Sequence, residues 1–349
     1  MTRRNVMLAA TALGLGAAGA AGGMALQRHA LRRLRLRPDP HAGEQFGSLH
    51  GTPVPVLADD GTRLYAEIDN DDRTDLAVVF CHGWTLTGDS WHFQRRAMRG
   101  LGRLVFWDQR GHGRSGSADD RSSYRVEQLA HDLRAVIEQT VPPQTPVVLV
   151  GHSMGGITIM KFADEYPDLI GSKVRAAALL CTSSGGLGEV TLGLPAALAR
   201  VNRLLMPHGL RAAGLGSGVL ERLRHLGRDS ALLVEDLIAF GPDASPSAVR
   251  FAEEMMTHTR MQALTGFIHS MTDAPELSPC ATLKKAETLI IAAENDALTP
   301  VEHSLTIATK CPDARLEVIP TAGHMAMMER PSVVSDHLGD LVERTRKAL

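Results

Sequence analysis

A chain of 349 residues with a formal net charge of −2 is long enough to bury a substantial core and offers no basic surplus of the kind nucleic-acid binding requires, so nucleic acid is not an expected partner. The four cysteines, Cys81, Cys181, Cys280 and Cys311, fall without any C-x-x-C spacing. That argues against a zinc site and against a disulfide-built scaffold, and leaves open whether Cys280 and Cys311 pair.

The N-terminus carries Arg3 and Arg4, runs free of charge from Val6 to Leu26, and then bears Arg28, Arg32, Arg33, Arg35 and Arg37. Val6–Leu26 is long enough to cross a bilayer at helical rise, although its glycines make it only weakly hydrophobic. Residues 1–40 are therefore expected to form a signal or anchor segment with a polar linker, running from Pro38 to about Gly47 in its linker part, and to give membrane association through residues 6–26. The Thr2-Arg3-Arg4 opening resembles a twin-arginine export signal, with Leu8 where a lysine is usual. An uncleaved anchor with its heavier arginine load downstream would instead keep the following domain, residues 41–349, in the cytoplasm. The two readings disagree about sidedness.

From Thr52 the pattern becomes strand-like, with Pro53-Val54-Pro55-Val56-Leu57, a turn at Asp59-Asp60-Gly61, and Leu64-Tyr65-Ala66-Glu67-Ile68 beyond it. This predicts an antiparallel hairpin. Strands are then expected at Leu76–Cys81, Leu104–Trp107, Val147–Val150, Ala176–Cys181, Leu289–Ala293 and Leu316–Ile319. Helices are expected near Ser90–Arg99, Val126–Thr140, Met154–Glu165, Pro300–Lys310 and Pro331–Arg346. A hairpin followed by strand–helix units predicts an α/β fold with a mostly parallel, doubly covered sheet. Between Ser183 and about Pro279 the alternation fails, and Leu, Ala, Met and Arg recur at helical spacing. A helical cap inserted over about 185–278 is expected there, over the active edge of the sheet.

The stretch Val147–Gly156, VVLVGHSMGG, reads as a buried strand that breaks into a glycine-rich turn before a helix. Glycines two residues either side of Ser153 allow a turn sharp enough to lift its hydroxyl above the sheet at a helix N-terminus, so Ser153 is the candidate nucleophile. Gly-x-Ser-x-Gly alone is a weak signal in a glycine-rich chain, and its context carries the assignment. A serine hydroxyl needs a base, and the base needs a carboxylate to orient it. His324 follows the last expected strand and Asp296 the strand before it, with Glu294 as the rival carboxylate. Strand alternation assigns Glu294 to the sheet and Asp296 to the loop. An acyl-transfer oxyanion needs backbone N–H donors, for which Met154, after the nucleophile, and Trp84, in the loop after Phe80-Cys81-His82-Gly83, are the candidates. His82 is read as structural, its ring bonding loop backbone.

These motifs, His82-Gly83-Trp84, Asp108-Gln109-Arg110-Gly111-His112-Gly113-Arg114-Ser115, Gly151-His152-Ser153-Met154-Gly155-Gly156, the Asp296 loop with Pro300, and Gly323-His324, resemble the lipase- and esterase-like α/β-hydrolase superfamily, from about Leu49 to the C-terminus. The order Ser153, Asp296, His324 is the order of that arrangement. The resemblance implies that the Asp108–Ser115 loop braces the site, with Asp108 and Arg110 structural. Members with an aspartate nucleophile, the epoxide hydrolases and haloalkane dehalogenases, have that residue where Ser153 stands, and the carbon–carbon bond hydrolases usually carry Gly-Pro-Gly soon after His-Gly, where this chain has Trp84-Thr85-Leu86-Thr87-Gly88.

The expected function is hydrolysis of carboxylic esters, lipophilic ones beneath a cap, through an acyl-enzyme on Ser153, with a small-molecule ester as partner and no metal or cofactor. A cofactor-free haloperoxidase or perhydrolase, or a thioesterase, would use the same triad. A non-catalytic, ligand-binding hydrolase fold is the alternative of a different class, and it usually lacks a triad member.

Overall fold

In the computed structural model, which describes residues 27–70, 72–117, 120–187, 228–273, 277 and 280–349, the expected alternation folds into one eight-stranded sheet. Its strands are β1 (Thr52–Leu57), β2 (Arg63–Asp69), β3 (Ala77–Cys81), β4 (Arg103–Asp108), β5 (Val147–His152), β6 (Val174–Leu180), β7 (Glu287–Ala293) and β8 (Arg315–Ile319). Their order across the sheet is β1-β2-β4-β3-β5-β6-β7-β8. β1 and β2 form the hairpin, β2 also pairs antiparallel with β4, and the remaining pairings are parallel.

The central strands are aliphatic on both faces because both faces are covered. Val78, Phe80, Val148 and Val150 pack on one side with Trp91 and Met98, which flank helix α2 (His92–Ala97), and with Leu338, Leu341 and Val342 of α9 (Pro331–Lys347). Ala77, Val79, Val147 and Leu149 pack on the other with α3 (Val126–Thr140), α4 (Met154–Glu165) and Ile307 of α8 (Val301–Lys310). One-residue alternation along β3 and β5 thus separates two hydrophobic layers.

Between β6 and β7 stand the helices α5 (Arg228–Ile238), α6 (Pro246–Thr257) and α7 (Met261–Asp273). The expected cap is helical over this described part, while residues 188–227 lie outside the described residues. The α6–α7 turn is tied to the sheet edge: Thr259 Oγ1 donates to Thr85 O at 3.2 Å and Arg260 N–H to Gly111 O at 3.0 Å.

Residues 27–47 correct the expected linker. Helix α1, over 27–35, buries Ala30, Leu31 and Leu34 and exposes Arg28, Arg32, Arg33 and Arg35, so it docks by an amphipathic face. Arg37 forms a two-pronged ion pair with Asp236 of α5, Nη2 to Oδ2 at 2.8 Å. Asp39 accepts hydroxyl hydrogen bonds from Ser245 and Ser247 at the start of α6, and Phe46 stacks on Phe251 at 4.8 Å between ring centroids. A domain boundary at residue 41 is therefore too late, because the polar groups of this segment are satisfied by cap residues about two hundred positions away that no local pattern discloses. Val6–Leu26 lies outside the described residues, and among the described residues no helix is long and apolar enough to cross a membrane. Cys81 and Cys181 are buried free thiols, and Cys311 is disulfide-bonded.

Candidate active site

Strand β5 ends at His152 and α4 begins at Met154, which leaves Ser153 alone to make the turn, with φ 53° and ψ −117°. A non-glycine residue at positive φ is strained and persists only when its surroundings over-determine it. Here they do. Ser153 N–H donates to Leu180 O at 2.9 Å, Thr182 Oγ1 donates to Ser153 O at 2.7 Å, and the first turn of α4 bonds the same carbonyl. The close approach of α4 to β3 explains Gly155, where a Cβ would lie 2.1 Å from Cys81 O.

The loops after β7 and β8 bring Asp296 and His324 together. Asp296 Oδ2 accepts from His324 Nδ1 at 2.8 Å, and Asp296 is itself fixed, with Oδ1 accepting the N–H groups of Leu298 and Thr299, each at 2.8 Å, and Oδ2 the Thr299 hydroxyl at 2.7 Å. Both side chains are buried. With Nδ1–H committed to the carboxylate, the free lone pair of a neutral His324 ring is on Nε2. Glu294 is exposed and accepts the Thr321 N–H at 2.8 Å. Ser153 is partly exposed at the head of α4, and among the described residues neither its Oγ nor His324 Nε2 makes a hydrogen bond. Among the described residues, therefore, acid is joined to base and the serine hydroxyl has no partner.

The Trp84 and Met154 side chains meet in one apolar cluster with Tyr124, Leu129, Ala263 and Phe267. Among the described backbone bonds neither the Trp84 nor the Met154 N–H is taken. The loop that carries Trp84 is set by His82, whose Nδ1–H donates to Gly83 O at 2.7 Å and whose Nε2 accepts the Gln109 N–H at 2.8 Å. Burial pushes the His82 imidazole down to about 4, so it stays neutral in that tautomer. Asp108 braces the same region by accepting the N–H groups of Gly88 and Arg114 at 2.8 and 2.9 Å. Arg110 forms a buried two-pronged pair with Asp132, both contacts at 2.6 Å. Among the described residues no group of three or more His, Cys, Asp or Glu side chains is placed to hold a metal ion.

A family model described as the alpha/beta hydrolase fold matches residues 77–331, which includes the turn at Ser153 and the loops of Asp296 and His324. The chain belongs to the alpha/beta hydrolase fold family. It is similar to the dihydrolipoyllysine-residue acetyltransferase component of an acetoin cleaving system from Pseudomonas putida, 25% identical over 294 residues that cover 82% of this chain and 68% of that one. It is also similar to epoxide hydrolase B from Mycobacterium tuberculosis, 34% identical over 137 residues, 39% of this chain and 36% of that one. A thermophilic esterase from Thermogutta terrifontis shares the fold with a TM-score of 0.65 at 22% identity, covering 84% of this chain and 99% of the other.

Three residues of this alpha/beta hydrolase site escape sequence reasoning. Thr299 bonds the Asp296 carboxylate; the Asp-x-x-Thr spacing, in which an aspartate caps the backbone two and three residues on, was the available signal. His152 donates from Nε2 to His324 O at 2.9 Å, and nothing local marks that contact. Glu235 of α5 is buried in the cap within the electrostatic reach of His324 and Glu253, and burial pushes its carboxyl up to about 7.

Proposed function

We propose that this site hydrolyses carboxylic esters through an acyl-enzyme on Ser153. The observation that carries the reading is the 2.8 Å contact of Asp296 Oδ2 with His324 Nδ1, which leaves Nε2 as a base in a loop at the sheet edge where β5 delivers Ser153. His324 Nε2 takes the Ser153 proton as Oγ attacks the ester carbonyl carbon. The negative charge that develops on the carbonyl oxygen is met by the Trp84 and Met154 N–H groups, donors of a type worth roughly 3 kcal/mol each. Collapse of the tetrahedral adduct breaks the carbon–oxygen bond of the leaving alcohol, which takes the proton from His324. Water then repeats the sequence on the acyl-serine. No step needs a metal or a cofactor.

The packing beside the nucleophile supports a substrate class. Ala263 and Phe267 of α7 are buried against Met154, with Met271 and Trp84 beside them, so the cap brings apolar side chains up to the residue that follows the nucleophile, which supports lipophilic small-molecule esters. The chain is similar to an epoxide hydrolase over 39% of its length. A serine, not an aspartate, stands at the nucleophile position, and this supports acyl transfer over epoxide opening. A panel of esters graded by acyl length tests the reading: turnover should rise with acyl length in the wild type and be lost in Ser153→Ala.

We further propose that residues 1–26 carry the chain to or across a membrane. The disulfide at Cys311 supports the export reading over a cytoplasmic anchor, because disulfides persist in oxidising compartments. Replacing Arg3 and Arg4 by lysine should block export. Unchanged export would contradict the twin-arginine reading.

A further inference from the structure

The peptide groups around His324 are held from three directions. Met325 N–H donates to Ala239 O, at the C-terminal end of α5 in the cap, at 3.0 Å. His324 O accepts from His152 Nε2 at 2.9 Å, next to the nucleophile. Gly323 N–H donates to Glu329 Oε1 at 2.8 Å, and the other oxygen of that carboxylate, Oε2, accepts the Gly241 N–H of the cap at 2.9 Å. The two backbones touch: a Cβ on Gly323 would lie 2.5 Å from Gly241 N and 2.5 Å from Phe240 C.

We infer that Glu329 is a positioning residue that couples the cap to the histidine loop, holding Gly241 of one and Gly323 of the other on a single buried carboxylate. The inference rests on the reading of His324 as the base. The task calls for a carboxylate. A carboxylate accepts on both oxygens, whereas an amide of the same shape accepts on one and presents hydrogens on the other, against an N–H. The carboxylate is not a cheap way to hold a fold together. Burial raises Glu329 to about 7 in spite of its two N–H bonds, with Arg330 favouring the charged form, Asp296 opposing it and the Cys181 thiol close enough to feel it. A group whose charge the fold resists, kept beside the catalytic base, fits a role in geometry better than a role in stability.

Because Ala239–Gly241 opens the connection between α5 and α6, the coupling runs both ways: a shift of the cap displaces His324, and His324 reaches its working position when that segment is seated. The test is steady-state kinetics and thermal unfolding of two full-length variants at pH 8. Glu329→Gln should lower kcat by about 10–100-fold, the range for displacement of a catalytic group by up to an ångström, with KM changed less than about threefold and Tm not lowered. Gly241→Ala reaches the clamp from the cap side, since its Cβ would lie 2.5 Å from Thr321 O in the histidine loop and 2.7 Å from Glu329 Oε2, and should reproduce the kcat effect with Glu329 intact. Activity within about twofold of wild type in both variants, or a loss that tracks a fall in Tm, overturns the inference. His324→Ala serves as the control for the underlying reading: if it stays active, the base assignment fails whatever Glu329 does.

Discussion

Asp296 and His324, 28 positions apart, meet at 2.8 Å because β7 and β8 are parallel neighbours with Ala293 opposite Ile319, so the loops that leave them emerge side by side. The carboxylate that does this is immobilised by three further hydrogen bonds within its own loop. Asp296→Asn should therefore preserve the loop but present an amide to Nδ1, favour the wrong tautomer, and lower kcat by about 10⁴-fold. Glu294→Gln should stay within about twofold, because Glu294 is exposed and its bond to Thr321 N–H needs only one oxygen. The two substitutions are compared by steady-state ester hydrolysis, and a reversal of their effects would move the acid to Glu294.

The docked segment before β1 predicts where the chain can be shortened. A protein that begins at residue 27 should keep wild-type stability and activity. One that begins at residue 42 loses the burial of Leu34, the Arg37–Asp236 pair and the Asp39 bonds to α6, and its Tm should fall by roughly 5–10 °C. Equal melting temperatures for the two truncations would return residues 27–41 to the status of a linker.

Stability should depend on pH through the cap. Burial lifts the Glu235 carboxyl from its ordinary 4.5 to about 7, facing Glu253, which opposes its charge, and His324, which favours it. In the window from 4.5 to about 7 the unfolded chain releases a proton that the folded chain keeps, so this residue's contribution to stability is lost as pH rises through that window and is constant above it. Glu235→Gln has no such term. Its Tm relative to wild type should rise by roughly 3–8 °C between pH 4.5 and pH 8. Parallel Tm curves across that range, followed by calorimetry, would contradict the assignment.

How much could be read beforehand divides by range in the chain. Helices α3 and α4, Val126–Thr140 and Met154–Glu165, have the boundaries that local patterning predicts, and every expected strand forms, because a buried aliphatic run of strand length between turn residues has few alternatives. That Ser153, Asp296 and His324 each follow a strand end was legible for the same reason. The coupling of Gly241 and Gly323 through Glu329 was not, since it joins residues 88 and 6 positions from that carboxylate through backbone N–H groups, which any residue but proline carries. The linker reading failed likewise: Arg37 and Asp39 look solvated until Asp236, Ser245 and Ser247 are brought to them by the fold. Polar pairing across the chain has no period, whereas hydrophobic burial does.

The measurement that bears most directly on the proposed chemistry is covalent labelling by a fluorophosphonate, read as the intact mass and the modified peptide of wild type, Ser153→Ala and His324→Ala. The account predicts one adduct per wild-type chain on the peptide that holds Ser153, none on Ser153→Ala, and labelling slowed by several orders of magnitude in His324→Ala. An adduct of equal yield on Ser153→Ala, or undiminished labelling of Ser153 without His324, would contradict it.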